Sequence, residues 1–225
     1  MSTMKFYFTP GSCSTGIHIL LEEIGVSFEA WPVNLVKGEQ YRPEFLAINP
    51  KGTVPVLVLE DGTALTEFIA IAMWLAKNCS RKPLVPANTK ALIEMLDLMN
   101  LIISACHGQG FTRIFTTERY SRNPADYEQI RNQGRNIVQG CLSTIDARIR
   151  YGRIVSEQFS IADAALFYVE FWAAKTGIPL PEACHEHYQR MLQRPSVRQV
   201  LMEEGYHSTL AGEPVAMRAD VHAVA

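Results

Sequence analysis

The chain has 225 residues, 48% of them hydrophobic and 20% charged, with a formal net charge of −2. That length allows one large domain or two modest ones, with a core that needs no staples. Without a dense Lys/Arg run, nucleic acid and anionic membranes find no footprint here. The opening stretch MSTMKFYFTPGS lacks the basic leader and long apolar core of a signal peptide. The most apolar stretch, Leu92 to Cys106, contains Glu94, Asp97 and Asn100 and is too short and too polar to span a bilayer. The cysteines at 13, 79, 106, 141 and 184 are scattered and odd in number, which points to reduced thiols in the cytoplasm.

In chain order, Met4 to Phe8 predicts a short strand ended by Pro10-Gly11. Ile17, Leu20, Leu21 and Ile24 share one helical face, and Gly25 closes that helix. Phe28 to Val33 predicts a second strand, placed at a sheet edge because Pro32 has no N–H for a ladder. Residues 36–52 look like loop with one irregular helical turn. Val56 to Leu59 and Thr63 to Leu65 form a hairpin about Asp61-Gly62. Thr66 is expected to cap the next helix, with Glu67 in its first turn and an apolar body over Phe68 to Ala76. A sheet with helices on both faces packs this order economically.

Residues 79–90 carry two prolines and read as linker. Beyond them the pattern is only helical. Leu92, Met95, Leu96, Met99, Ile102 and Ile103 line one long helix; Ile130, Ile137, Val138, Cys141, Leu142, Ile145 and Ile149 line another. Ser160 and Asp163 have capping-box spacing ahead of AALFYVEFWAA, apolar nearly all round and so a central bundle helix. Shorter helices are expected at 182–193 and 196–204, then a tail with little pattern. The fold class is α/β plus all-α: domain 1–82, linker 83–89, helical domain 90–210 and tail 211–225.

Cys13 falls at the junction of the first strand and helix. Free amides and the helix dipole favour a thiolate there; the plain alternative is a small residue chosen for packing. No second cysteine follows at i+3, which disfavours two-thiol redox chemistry. If the Val54-Pro55 bond were cis, Val54 could turn its backbone outward to a peptide-like ligand. Glu67 serves its helix dipole or, with neighbouring amides, a ligand's charged end. His107, in ISACHGQG, reads as ending the long helix, as a dipole partner or as a polar group over an interdomain cleft. In ACHEHYQR, Cys184, His185 and His187 read as a solvated helix face, not a metal site.

The stretches MKFYFTPGSCS, NPKGTVPVLVLEDGTALTE, AIAMWLA and FSIADAALF together resemble the cytosolic glutathione transferases, and the bacterial beta class most closely. The resemblance runs from residue 4 to about 205. It implies a thioredoxin-like N-terminal domain followed by a helical-bundle C-terminal domain, a homodimer, glutathione as co-substrate, no metal, and a small hydrophobic electrophile as second substrate. By the same resemblance Cys13 meets the glutathione sulfur, Val54 pairs with its cysteinyl part, and Glu67 and Phe68 hold its γ-glutamyl end. Asn100, Ser104 and His107 line the site, with Lys37 a weaker match. Ser160 and Asp163 match the family's structural capping box.

Two residues depart from the beta class. Phe8 stands where that class has a tyrosine, and adjacent Tyr7 points to the other face of its strand. Phe68 replaces a Ser or Gly and is expected to crowd the γ-glutamyl carboxylate. The leading expectation is therefore a glutathione transferase in which thiol transfer compares well with conjugation. Against it stand a non-catalytic binding protein on the same fold and, more weakly, a dedicated step such as glutathione-dependent isomerisation or ether cleavage.

Overall fold

The structure, a computed structural model, describes residues 3–151 and 158–210. The 211–225 tail expected from sequence lies outside them. Four strands, β1 (Met4–Phe8), β2 (Phe28–Pro32), β3 (Val56–Val58) and β4 (Ala64–Thr66), form one sheet in the order β2-β1-β3-β4. β1 and β2 are parallel, and the other pairs are antiparallel. β2 is an edge strand as its proline requires, with Pro32 opposite Phe8.

Strand alternation sends Phe6 and Phe8 to one face of β1 and Tyr7 to the other. Phe6 and Phe8 stack at 5.3 Å in the main core, under α1 (Ser14–Ile24). Tyr7, Val33, Val56 and Phe45 form a small core on the opposite face. That face is covered by the segment read as irregular, which holds a 3-10 turn (Glu39–Tyr41) and the short α2 (Pro43–Leu46).

α3 (Phe68–Asn78) returns to the main core and completes this half. The connection that follows is not loose: Leu84 is buried, and its carbonyl accepts from the Ile161 amide at 3.1 Å. A helix then runs from Thr89 to Phe115, as α4 (Thr89–Asn100), a π-helical stretch (Leu101–Phe111) and α5 (Thr112–Phe115). The expected helix was an ordinary α-helix ending near His107. Instead, the buried residues recur every fourth position at Leu98, Ile102, Cys106, Gly110 and Ile114. That interval exceeds 3.6 residues, and wider π turns keep such residues facing the core.

The glycines at 108 and 110 do not stop the helix. A Cβ on Gly110 would lie 2.6 Å from a Val138 methyl, and one on Gly134 would lie 2.7 Å from the Gly110 carbonyl oxygen. The pair permits close contact with α6 (Tyr127–Arg150). By length and mean hydropathy (1.3) the 27-residue helix could cross a membrane. Here it packs against α6 and against α7 (Ile161–Thr176).

Short 3-10 turns at Thr117–Arg119 and Pro124–Asp126 lead into α6. α7 is the central helix; its capping box forms, with the Ser160 amide donating to Asp163 Oδ2 at 2.8 Å. α8 (Glu182–Leu192), α9 (Pro195–Glu203) and a last turn, α10 (His207–Leu210), close the bundle. α10 corrects the expectation of a patternless stretch after Gly205. A second correction concerns ACHEHYQR: Cys184 and His187 are buried and only His185 faces out. His187 stands between Glu170 (2.7 Å) and Asp163 (3.2 Å), carboxylates that its own helix does not show.

α1 lies between the sheet and the helical half, packed on α7 and α9. A Cβ at Gly16 would fall 2.7 Å from both the Ala164 carbonyl oxygen and the Phe68 ring, so glycine sets this approach. At the far end of α1, Glu23 accepts from Arg194 (2.6 Å) and Ser196 (2.7 Å).

Candidate functional site

The segment from Thr9 to Gly16 is a turn tied by its own serines. Ser14 Oγ accepts from the Thr9 amide (3.0 Å) and donates to the Thr9 carbonyl (3.1 Å). Ser12 Oγ accepts from the Ser14 amide at 3.1 Å. With both serines turned inward, Cys13 is left at the N-cap of α1. Its thiol donates to the Val54 carbonyl at 3.6 Å. Burial pushes the Cys13 thiol up to about 12, against the pull of the Cys13 and Ser14 amides, and the Glu67 charge adds to the rise. The sequence expectation of a thiolate is therefore corrected for the free protein: desolvation outweighs the helix terminus.

The turn is also held from the helical half. Glu204, fully buried, accepts from the Gly11 amide (2.7 Å), Thr15 Oγ1 (2.6 Å) and His18 Nδ1 (2.9 Å). On the other side of the same glycine, Trp172 Nε1 donates to the Gly11 carbonyl at 2.7 Å. Gly11 has φ +75, and a Cβ there would collide with the Tyr206 hydroxyl. The sequence carried no signal for Glu204, since an acidic residue at a helix end ordinarily reads as surface.

The Val54–Pro55 bond is cis. Glu67, at φ +71, is the one non-glycine residue with positive φ among the described residues. Such a conformation belongs where a ligand site demands it. Thr66 does not cap α3, contrary to expectation; it is the last residue of β4, and Glu67 stands at the N-cap without a side-chain bond. The Thr66 hydroxyl and Glu67 Oε1 instead receive Lys51 Nζ, at 2.8 and 2.6 Å. Lys51 was not foreseen; its partners lie 15 and 16 residues away, across a hairpin.

Phe68 does not do what its bulk suggested. Its ring is buried against Gly16 and lies 5.5 Å from the Tyr168 ring. It is core. Phe8 is likewise core, 5.2 Å from the His18 ring.

On the long helix, Asn100 and Ser104 are exposed, and Ser104 Oγ donates to the Asn100 carbonyl at 2.6 Å. His107 follows in the π-helical stretch, not at a helix C-terminus. Its ring lies edge-on to Trp172 at 4.9 Å, with Nδ1 3.3 Å from the Tyr168 hydroxyl. Burial lowers its pKa to about 4, so the imidazole is neutral at pH 7. Tyr168 is fully buried; burial, then charge on Cys13 and Cys106, raises its hydroxyl well above the ordinary value. Tyr168 thus meets His107, and sequence alone placed it only in an apolar helix.

Lys37 stands apart. It sits in an exposed turn with its amide on Asn34 Oδ1 (3.0 Å), and its ammonium pairs with nothing among the described residues. His18, Glu22 and Glu203 bring ligand-capable atoms within 4.8 Å of one another. Both His18 nitrogens already face carboxylates, Glu204 at 2.9 Å and Glu203 at 3.3 Å, so the cluster is an ion-pair link between α1 and α9.

Residues 11–78 match the family model for the glutathione S-transferase N-terminal domain, and residues 128–190 that for the C-terminal domain. The glutathione S-transferase GstA of Escherichia coli O157:H7 is 35% identical over 208 residues, covering 90% of this chain and 99% of the relative. A glutathione transferase homologue from Sulfitobacter, solved with bound glutathione, superposes with a TM-score of 0.81 at 30% identity, over 90% of this chain and 99% of that one. A beta-class glutathione S-transferase from Sphingomonas chungbukensis superposes with a TM-score of 0.74 at 29% identity, over 90% and 99%. With Phe68 and Phe8 accounted for as core, the features that had favoured a non-catalytic binding protein no longer do so. The chain belongs to the glutathione S-transferase family and is a glutathione S-transferase.

Proposed function

We propose that glutathione lies along the cleft with its γ-glutamyl carboxylate on the amides at the start of α3 and its amine near Glu67. Its cysteinyl part pairs with the backbone of Val54, and its sulfur faces Cys13 and His107. Asn100 and Ser104 stand on the opposite wall. Lys37 is dropped from this set in favour of Lys51, which already holds Thr66 and Glu67.

The observation that carries the reading is the thiol of Cys13 on the Val54 carbonyl. That carbonyl is the acceptor the ligand's cysteinyl N–H needs. Binding therefore displaces the Cys13 S–H and frees the thiol beside the incoming sulfur. In conjugation, the glutathione thiol gives its proton to solvent and the thiolate forms a bond to an electrophilic carbon, whose leaving group departs with the electron pair. In thiol transfer, the freed Cys13 thiol gives its proton to solvent, its thiolate attacks a disulfide sulfur and the other sulfur leaves as thiolate; a glutathione thiolate then attacks the mixed disulfide and Cys13 leaves as thiolate. The second substrate is a small hydrophobic electrophile, as the family resemblance implies.

A homodimer fits the same picture. Met73 and Trp74 on α3 and Leu92, Ile93 and Leu96 on α4 are apolar and only partly covered, with Ile93 58% exposed. A second copy would cover them.

Calorimetry with glutathione, and assays with an aryl halide and with a mixed disulfide, test the reading. We expect micromolar-to-millimolar binding by the wild type, weaker binding by Glu67→Ala, and loss of disulfide exchange in Cys13→Ala. Absence of binding by the folded wild type, or full activity of Cys13→Ala in both assays, would overturn it.

A further inference from the structure

The Tyr168 hydroxyl has one hydrogen-bond partner among the described residues, His107 Nδ1 at 3.3 Å. Tyr168 has no surface exposed to bulk solvent. Three arrangements of protons are possible for this pair. If Nδ1 carried hydrogen, it would donate to the phenol oxygen, and the phenol O–H would be sealed without an acceptor. If the imidazole were doubly protonated, the same O–H would again be orphaned and a charge would be buried as well. Only when Nδ1 is bare does the O–H find its acceptor. A buried donor left unmade is disfavoured by roughly fivefold to a hundredfold between the arrangements.

The other ring nitrogen, Nε2, has no protein partner among the described residues and is not one of the sealed, unpaired polar atoms. His107 is only partly exposed, and its ring is wedged against Trp172. Nε2 is therefore the atom through which His107 meets whatever enters the cleft.

We propose that Tyr168 is a positioning residue that fixes His107 in the tautomer with hydrogen on Nε2, so that His107 meets the glutathione sulfur as a hydrogen-bond donor and not as a proton acceptor. The identity of that sulfur rests on the function proposed above; the tautomer is a property of the free protein. Phe8, packed in the core against His18, offers no hydroxyl. Here a tyrosine of the helical half acts through the imidazole, which relays a donor into the cleft. The low pKa of His107 points the same way, since the ring stays neutral and Nδ1 stays available as an acceptor.

The experiment is a long-range nitrogen–proton correlation spectrum of histidine-labelled protein, with His107 assigned by its loss in His107→Gln. In the wild type at pH 7, Nδ1 should appear as the bare nitrogen and Nε2 as the protonated one. Tyr168→Phe removes only the oxygen, and its fold is checked by circular dichroism. The variant should mix the tautomers and raise the His107 pKa. Its bound glutathione thiol, followed by thiolate absorbance, should titrate about one unit higher, a tenfold loss of thiolate stabilisation. The acid limb of kcat/KM should move with it, a change that loss of packing alone does not produce. Hydrogen on Nδ1 in the wild type would overturn the proposal. So would a Tyr168→Phe variant with unchanged tautomer and unchanged thiol pKa. Failure of glutathione to bind would sink the transferase site and the donor role together, while the spectrum of the free protein still decides the tautomer.

Discussion

Replacing Glu204 by alanine probes how the helical half controls the cysteine turn. The carboxylate is fully buried and receives three donors within 2.6 to 2.9 Å, from Gly11, Thr15 and His18. All three belong to the turn or to the first turns of α1. Hydrogen bonds to a charged group contribute about 1.5–3 kcal/mol each, but they share one carboxylate and do not add. Removing the carboxylate orphans three buried donors at about 1–3 kcal/mol each, less than additively, and we take about 3–5 kcal/mol as the expected loss for Glu204→Ala. For a chain of this size, thermal unfolding shifts by about 2–4 °C per kcal/mol, so the midpoint should fall by roughly 6–20 °C. Glu204→Gln keeps one acceptor oxygen and should lose less. The assay pairs denaturant unfolding with the rate at which a maleimide reaches Cys13 well below the transition. If the clamp holds the turn, the variant loses stability and Cys13 reacts faster in the folded protein. A loss below about 1 kcal/mol, the scale of ordinary surface substitutions, would refute the reasoning. So would a large loss with Cys13 as shielded as before, because Glu204 would then hold the domains together without holding the turn.

Phe68→Ser should cost about 3–5 kcal/mol of stability, as expected for emptying a core ring site, while glutathione affinity in the folded fraction changes less than about fivefold; a large gain in affinity would show that the ring had blocked the ligand after all. Cys13, at about 12 against an ordinary 9.0, should be alkylated far more slowly than a free thiol, with about a thousandfold less thiolate, and half-exposed Cys79 should react first; rapid modification of Cys13 at neutral pH would contradict the desolvation argument. For His187, burial lowers the pKa, but the charges and hydrogen bonds of Glu170 and Asp163 win and push it from 6.5 up to about 9. A raised folded pKa contributes stability that is complete below the unfolded value and lost as pH rises through the folded one. Glu170, raised by burial from 4.5 to about 7, acts in the same direction between those values. Unfolding free energy should therefore fall from neutral to about pH 9.5, and His187→Gln should flatten that fall; a wild type that grows more stable on the alkaline side would refute it.

The elements were legible where local pattern and tertiary use agree. Period-two alternation gave β1 and put Tyr7 and Phe8 on opposite faces. Gly25 does close its helix in the left-handed conformation. The reading failed where a local signal was spent on something distant. Gly108 and Gly110 look like a helix stop, yet the helix continues, and at Gly110 the missing side chain admits Val138. Thr66 looks like a cap, but β4 extends through it and its hydroxyl meets Lys51. His187 looks solvated, because its partners Glu170 and Asp163 lie on another helix. The site followed the same rule. Cys13, Val54, Glu67 and His107 sit in short recognisable stretches. Lys51, Tyr168 and Glu204 act through contacts 15 to 193 residues away in sequence, which no local pattern encodes.

The charge state of the sulfur site follows from these placements. Cys13 is held as a thiol, His107 as a neutral imidazole and Tyr168 as a phenol, in each case first by burial. At neutral pH these three groups, which line the site proposed for the sulfur, therefore carry no formal charge. A thiolate formed there meets oriented dipoles in place of water, and dipoles fixed by the fold need no reorganisation as charge develops. A cationic His107 would bind a thiolate more tightly before reaction, and it would hold back the nucleophile by the same margin as the new bond forms. A neutral donor costs less of that reactivity. On the role proposed for His107, the donor comes from the helical half, through a tyrosine sealed in that half's central helix. Trp172 on α7 and Glu204 at the end of α9 hold Gly11 from its two sides, so changes at either are expected to reach the proposed sulfur site through the cysteine turn without touching it.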